Sequence, residues 1–166
     1  MVTLRLMAAL ASRVREDLSR KHATALERVG FLVAKAGALP NNGIILLPYD
    51  YIPVADEAYV DDDQVGARIS DAGFRPARQA ALSDAVAIMH VHLHGHRGRP
   101  EFSRTDLRES AHFMPDFLKI RPSMPHAAVI LSVDEMAGRC WTRDARPAPI
   151  EVITFVGSCL QKVRHA

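Results

Sequence analysis

The stretch AVAIMHVHLHGHRGRPEFSRTD, residues 85–106, constrains this chain more than any other segment. Its first ten residues read as a strand that starts buried and turns polar at its end. Alternate residues of a strand share a face, so His90, His92 and His94 point the same way as far as the strand continues. His96 extends the alternation, and half of the eight histidines thereby fall within seven residues. Burying several imidazoles without partners is costly. The run is either a metal site or a polar strand end with no chemistry.

Two imidazoles on one face, two residues apart, reach a single ion from a fixed direction, and neutral imidazole suits zinc. A carboxylate completes three protein ligands. Asp106, after a loop containing glycine and proline and at the start of a helix, is the obvious third. Three ligands leave a tetrahedral position for water, as in catalytic zinc sites, and zinc brings the pKa of that water to about 7. Such a site also needs a general base that is not itself a ligand. Spacing alone does not single that base out among the acidic residues. Ser103 and Asp106 also stand at capping-box spacing, a purely structural reading of the same pair.

With 166 residues, 48% of them hydrophobic, the chain suits one domain with one sizeable core. No repeat, low-complexity tract or linker divides it, so residues 1–166 are read as a single domain. Val2 to Leu6 alternates as a short strand. Leu10, Val14 and Leu18 mark an amphipathic helix ending near Lys21. ERVGFLVAKAG and GIILLPYDYIPV read as a β-hairpin joined through Pro40 and Asn42-Gly43. Residues 55–63 form an acidic loop with Asp56, Glu57, Asp61, Asp62 and Asp63. Pro76 suits the first turn of a helix running to Ala85. SRTDLRESAHF begins another helix, and HAAVILSV, RCWT and IEVITFV give three more strands. The end, SCLQKVRHA, is ambiguous. Strands and helices interleave without a strict βαβ period, which predicts an α+β fold with a mixed, curved sheet flanked by helices.

The net charge of +2 is too small to argue for a nucleic-acid or membrane surface. Cys140 and Cys159 lie in no CxxC motif and read as buried thiols of a reducing compartment. The start, MVTLRLMAALASRVRED, has neither the flanks of a signal peptide nor the length of a transmembrane helix, so a cytoplasmic protein is expected. A zinc deaminase would need a PCxxC motif, and the sequence has none.

HLHGHRGRPEFSRTD resembles the JAMM motif of the JAB/MPN metalloproteases, which is His-x-His, a loop, then Ser-x-x-Asp. That family also carries an upstream glutamate at a strand start, followed by x-x-Gly and aliphatic residues. ERVGFLVA matches it, with Glu27, Gly30, Phe31 and Leu32 in the corresponding places. The order of elements agrees over nearly the whole chain. The resemblance implies a JAB/MPN domain holding one zinc ion through His92, His94 and Asp106. It implies Glu27 as general base and then proton donor to the leaving amine, with Ser103 donating a hydrogen bond to the oxyanion. Eleven residues separate His94 from Asp106, one more than is usual in the family, and nine separate His96 from it. His92 with His94 keeps both ligands on the strand; His94 with His96 is the alternative register, and His90 with His92 a third. His90 reads as a neighbour of the site. Gly95 stands where the family usually has proline.

The resemblance further implies a substrate: a ubiquitin-like protein cleaved after its C-terminal glycine, from conjugates or from a precursor. Small bacterial members resemble the deubiquitinase-like proteases of conjugation operons, including antiphage-defence operons of the Bil and CBASS types, where E1-like and E2-like proteins would be partners. Processing of a sulfur-carrier protein is a second enzymatic expectation, and a non-catalytic MPN scaffold a third reading from another class. The substrate tail is expected to lie as an added β-strand near the zinc. The acidic loop is either solvated or a receiver of basic residues.

Overall fold

Alternating and continuous apolar runs become nine strands of one mixed sheet in the computed structural model, which describes residues 1–62, 65–143, 145–157 and 161–164. The strands are β1 (Val2–Met7), β2 (Val29–Leu39), β3 (Gly43–Pro53), β4 (Ala87–Leu93), β5 (His126–Leu131), β6 (Met136–Thr142), β7 (Ala145–Pro149), β8 (Val152–Val156) and β9 (Gln161–Arg164). Their order across the sheet is β7-β6-β5-β4-β2-β3-β1-β8-β9. β1 runs parallel to β3 and β8, and β4 parallel to β5; the other pairings are antiparallel. Three α-helices, α1 (Ala8–Leu18), α2 (Asp71–Ser83) and α3 (Arg104–Ile120), complete a single-domain α+β fold.

Period-2 patterning divides the core between two faces. Leu4, Leu6, Leu46, Met89 and Val129 pack with Leu10, Ala11, Val14 and Leu18 of α1. On the opposite face, Phe31, Ile88 and Ala128 pack with Ala77 and Ala81 of α2 and with Met114 and Phe117 of α3. Each fully buried large apolar side chain contributes about 1.5–3 kcal/mol, so these two layers hold the site's strands in place. Cys140 is buried, as expected; Cys159 lies outside the described residues. Among the described residues, no helix is long and apolar enough to cross a membrane.

Several boundaries differ from the sequence reading for identifiable reasons. The β2–β3 hairpin forms, but its turn centres on Asn41 and Asn42, both at φ 57°, with Gly43 N–H donating to Pro40 O at 3.2 Å. Two asparagines tolerate the left-handed region that a type I′ turn requires, so glycine is not needed there. α1 ends at Leu18, capped by Ser19, short of Lys21. α2 begins at Asp71, which places Pro76 inside it beyond the first turn, and it stops at Ser83 before Ala85. α3 runs on through Pro115 to Ile120. β7 and β9 are additional strands; β7 holds Pro147 and Pro149 and lies at a sheet edge, where proline costs least.

Candidate metal centre

Strand register assembles the site. β2 and β4 pair antiparallel with Val29 opposite His92, so the polar end of β4 lies beside the start of β2. Glu27, two residues ahead of Val29, is thereby brought to the histidines. On the other flank β4 pairs with β5, His92 opposite Ile130. The N–H of His94 donates to Leu131 O at 2.8 Å and carries the ladder one residue past β4. That bond keeps His94 aligned with His92.

The loop after His94 is tied to the β5–β6 turn. Val133 N–H donates to His96 O at 3.0 Å, and Gly98 N–H donates to Asp134 Oδ1 at 2.8 Å. Gly98 sits at φ +82°, a conformation other residues adopt at a cost. The loop delivers Ser103 as the N-cap of α3 with a complete capping box. Asp106 N–H donates to Ser103 Oγ at 3.1 Å, and Ser103 N–H donates to Asp106 Oδ2 at 2.7 Å. The predicted cap is present, and it leaves Oδ1 of Asp106 turned to the strand.

The donor atoms converge. His92 Nε2 lies 3.2 Å from His94 Nε2 and 3.4 Å from Asp106 Oδ1, while Asp106 Oδ2 is 4.0 Å from His94 Nε2. Ligand atoms of Glu27, His92 and His94 all lie within 4.8 Å of one another, so this group can hold a metal ion. Tetrahedral ligands at ~2.0–2.1 Å from an ion stand roughly 3.3–3.4 Å from each other. The His92–His94 and His92–Asp106 separations are close to that length, and the His94–Asp106 separation of 4.0 Å is longer.

Burial sets the protonation. His92 is buried and its pKa is pushed down to about 4, chiefly by desolvation, with Asp106 opposing and His94 adding to the shift. Neutral imidazole, the ligand form, is therefore its state near neutral pH. Burial raises the pKa of Glu27; His94 opposes this and Asp106 reinforces it. The Glu27 backbone N–H donates to Gly66 O at 2.8 Å, and a Cβ on Gly66 would come within 2.7 Å of Glu27 Oε2. Gly66 thus lets the 65–68 segment lie directly against the carboxylate.

The remaining histidines separate clearly. His90 is packed by Phe31 and Phe113, ring centroids 5.6 and 5.0 Å away, and burial depresses its pKa to about 3. It supports His92 as a packed neighbour, with rings 5.9 Å apart. His96 is exposed, 5.9 Å from His94 ring to ring, and its Nδ1 lies 2.9 Å from Arg97 O. It is not in the converging group. Sequence reasoning missed Gly66 and Arg28, described below. Neither lies in a motif, and a single glycine in an irregular segment gives no signal of what it packs against.

Strand order and ion pairing bear on two further expectations. β4 has β2 and β5 on its two sides, and the sheet's edges among the described residues are β7 and β9. The strand that carries the histidines therefore has no free edge among the described residues. The acidic loop is also partly neutralised within the chain, Asp56 by Arg28 at 2.8 Å and Asp62 by Arg68 at 2.9 Å. Glu57 and Asp61 are exposed, and Asp63 lies outside the described residues. Nor is the centre part of the cleft of about 490 Å³ lined by Arg5, Met7, Lys35, Leu47, Tyr49 and Val156. It is a surface site at a strand end.

Fold and site together define a single-domain α+β protein with a His-x-His/carboxylate cluster able to hold a metal ion. No protein-family model matches the chain, and no curated protein matches it. Among solved structures it is similar to the STIL N-terminal domain of Trichoplax adhaerens, with 10% identity and a TM-score of 0.43. That similarity covers 84% of this chain, which spans 41% of the other. A likeness so remote carries no functional argument.

Proposed function

We propose that the chain is a zinc metallopeptidase of the JAB/MPN type that cleaves after the C-terminal glycine of a ubiquitin-like protein. One observation carries this reading. Residues far apart in sequence meet at one strand end: ligand-type atoms of Glu27, His92 and His94 lie within 4.8 Å of one another, and Asp106 Oδ1 stands 3.4 Å from His92 Nε2. The donor set of two imidazoles and a carboxylate is a chemistry zinc takes in open catalytic sites. His92, His94 and Asp106 would hold the ion, which supplies Lewis acidity when bound.

The chain's own residues do the rest. Glu27 takes the proton of the attacking water and passes it to the leaving nitrogen; its raised pKa moves it toward the working pH of a general base. The Ser103 hydroxyl oxygen accepts from Asp106 N–H, so its own proton is available to donate to the developing oxyanion. Glycine beside the scissile bond lets the substrate backbone approach the site closely.

Metal content tests the ligand set. His92→Ala and His94→Ala should each lose the zinc, and His96→Ala should keep it. Loss on His96→Ala with retention on His92→Ala would move the register by two residues. The substrate is tested with a glycine-ended ubiquitin-like protein fused to a reporter. Cleavage should stop when the terminal glycine becomes bulky; equal cleavage of both fusions would make the protein a general peptidase.

A further inference from the structure

We infer that Arg28 is a positioning residue for Glu27, fastening the segment that carries the carboxylate against the two histidines. The inference rests on the metal-site reading above. Glu27 belongs to residues 19–28, which join α1 to β2 without forming helix or strand. Among the described residues one backbone hydrogen bond, Glu27 N–H to Gly66 O, anchors the segment at Glu27 and no ladder continues it, so side chains must fix the rest.

Arg28 is 2% exposed and its guanidinium spans three partners. Nε donates to Arg20 O at 3.0 Å, Nη2 donates to Lys21 O at 3.3 Å, and Nη1 lies 2.8 Å from Asp56 Oδ1. The same guanidinium stands 5.8 Å from the Tyr59 ring centroid. The Tyr59 hydroxyl accepts from Val29 N–H at 2.8 Å, and its ring packs on His22 at 4.4 Å. Residues 20–22 and 28–29, the two ends of the segment, are thereby clasped to the turn at 56–59. Glu27 is the residue between them that faces the metal group.

The chemistry of the clasp argues for geometry rather than bulk stability. Burying an arginine is costly, and a well-packed apolar residue of similar size often stabilises a fold as much or more. What an apolar residue lacks is a rigid fork that hydrogen-bonds two carbonyls in fixed directions while its third nitrogen, without a hydrogen bond of its own, forms the ion pair with Asp56. Lysine lacks it too, being a single point charge. The ion pair also assigns Asp56 a place in the site's architecture, which its position in an acidic loop does not reveal.

Cobalt(II), added alone to the metal-stripped chain, tests the clasp without any substrate, because its visible absorption spectrum reports the groups around the ion. Glu27→Gln should alter that spectrum while one cobalt still binds. Arg28→Met should keep its circular dichroism and cobalt stoichiometry and shift the spectrum in the same sense as Glu27→Gln; Arg28→Lys should not restore it. Asp56→Asn, which removes the charge but keeps a side-chain oxygen for Arg28, should give part of the same shift with its fold checked by circular dichroism. A folded Arg28→Met with the wild-type cobalt spectrum, beside a shifted Glu27→Gln, overturns the inference and leaves the metal centre standing. Should Arg28→Met fail to fold, an unshifted Asp56→Asn overturns it equally. An unshifted Glu27→Gln would place Glu27 out of reach of the ion's surroundings and overturn both the inference and the assignment of Glu27 as base.

Discussion

At the scale of single residues, the convergence of His92 and His94 was legible because strand alternation is a strict geometric rule. His92 and His94 share a face in any strand that includes them, and the structure gives their Nε2 atoms 3.2 Å of separation. What alternation could not supply was the division of labour among four histidines. His90 obeys the same rule yet is enclosed by Phe31 and Phe113, which belong to β2 and α3. Only long-range packing distinguishes a ligand from its neighbour. Glu27 was legible through a family resemblance alone, since nothing local marks a glutamate in an irregular segment as near a metal. If it acts as base, Glu27→Gln should keep the zinc and the fold while turnover drops at least about a hundredfold, the lower reach of general acid–base catalysis. Turnover near the unsubstituted level, measured on the reporter fusion, would remove Glu27 from the mechanism.

At the scale of elements, Ser103 and Asp106 show how a capping motif can coincide with the proposed ligand position. The cap fixes Oδ2 of Asp106 on the Ser103 N–H, and this orients Oδ1 toward His92 at 3.4 Å. A ligand held by an outer hydrogen bond is oriented before metal arrives. The two roles are separable by substitution. Asp106→Asn keeps a side-chain oxygen for the cap, so the metal-free protein should melt close to the unsubstituted one, whereas zinc affinity should fall sharply. Ser103→Ala should lower stability by about 0.5–2 kcal/mol, the usual cost of a lost N-cap, in chemical denaturation of the metal-free chain. Comparable zinc affinity in Asp106→Asn and the unsubstituted protein would exclude Asp106 as a ligand. Element ends were the least legible part. Prolines 76 and 115 argue locally against helix interior, but packing of Ala77, Ala81, Met114 and Phe117 on the sheet outweighs them. β7 was hidden by its own prolines, which an edge strand accommodates.

At the scale of the whole molecule, α+β architecture followed from composition and pattern, whereas strand order did not, because sequence neighbours are often not sheet neighbours. β4 sits between β2 and β5, and His126, the first residue of β5, becomes enclosed between the sheet and α3. Its Nδ1 accepts from Ile88 N–H at 3.0 Å, and its ring lies 5.6 Å from that of Phe117. Nε2 has no hydrogen-bond partner among the described residues. Burial, the largest cause, depresses the pKa of His126 from 6.5 to about 4, against the opposing backbone contacts of Arg121, Ile88 and Phe117. In the unfolded chain the same group titrates near 6.5. Between those two values the unfolded state binds the extra proton and the folded state does not, so stability falls as pH falls. The contribution is whole above pH ~6.5 and is lost progressively as pH drops to about 4, with a slope of at most ~1.4 kcal/mol per pH unit for one group. Denaturant unfolding of the metal-free protein at a series of pH values should show this decline. His126→Gln, whose side-chain carbonyl can still accept from Ile88 N–H, should flatten it by about one proton's worth. An unchanged slope in that variant would mean that His126 does not carry the dependence.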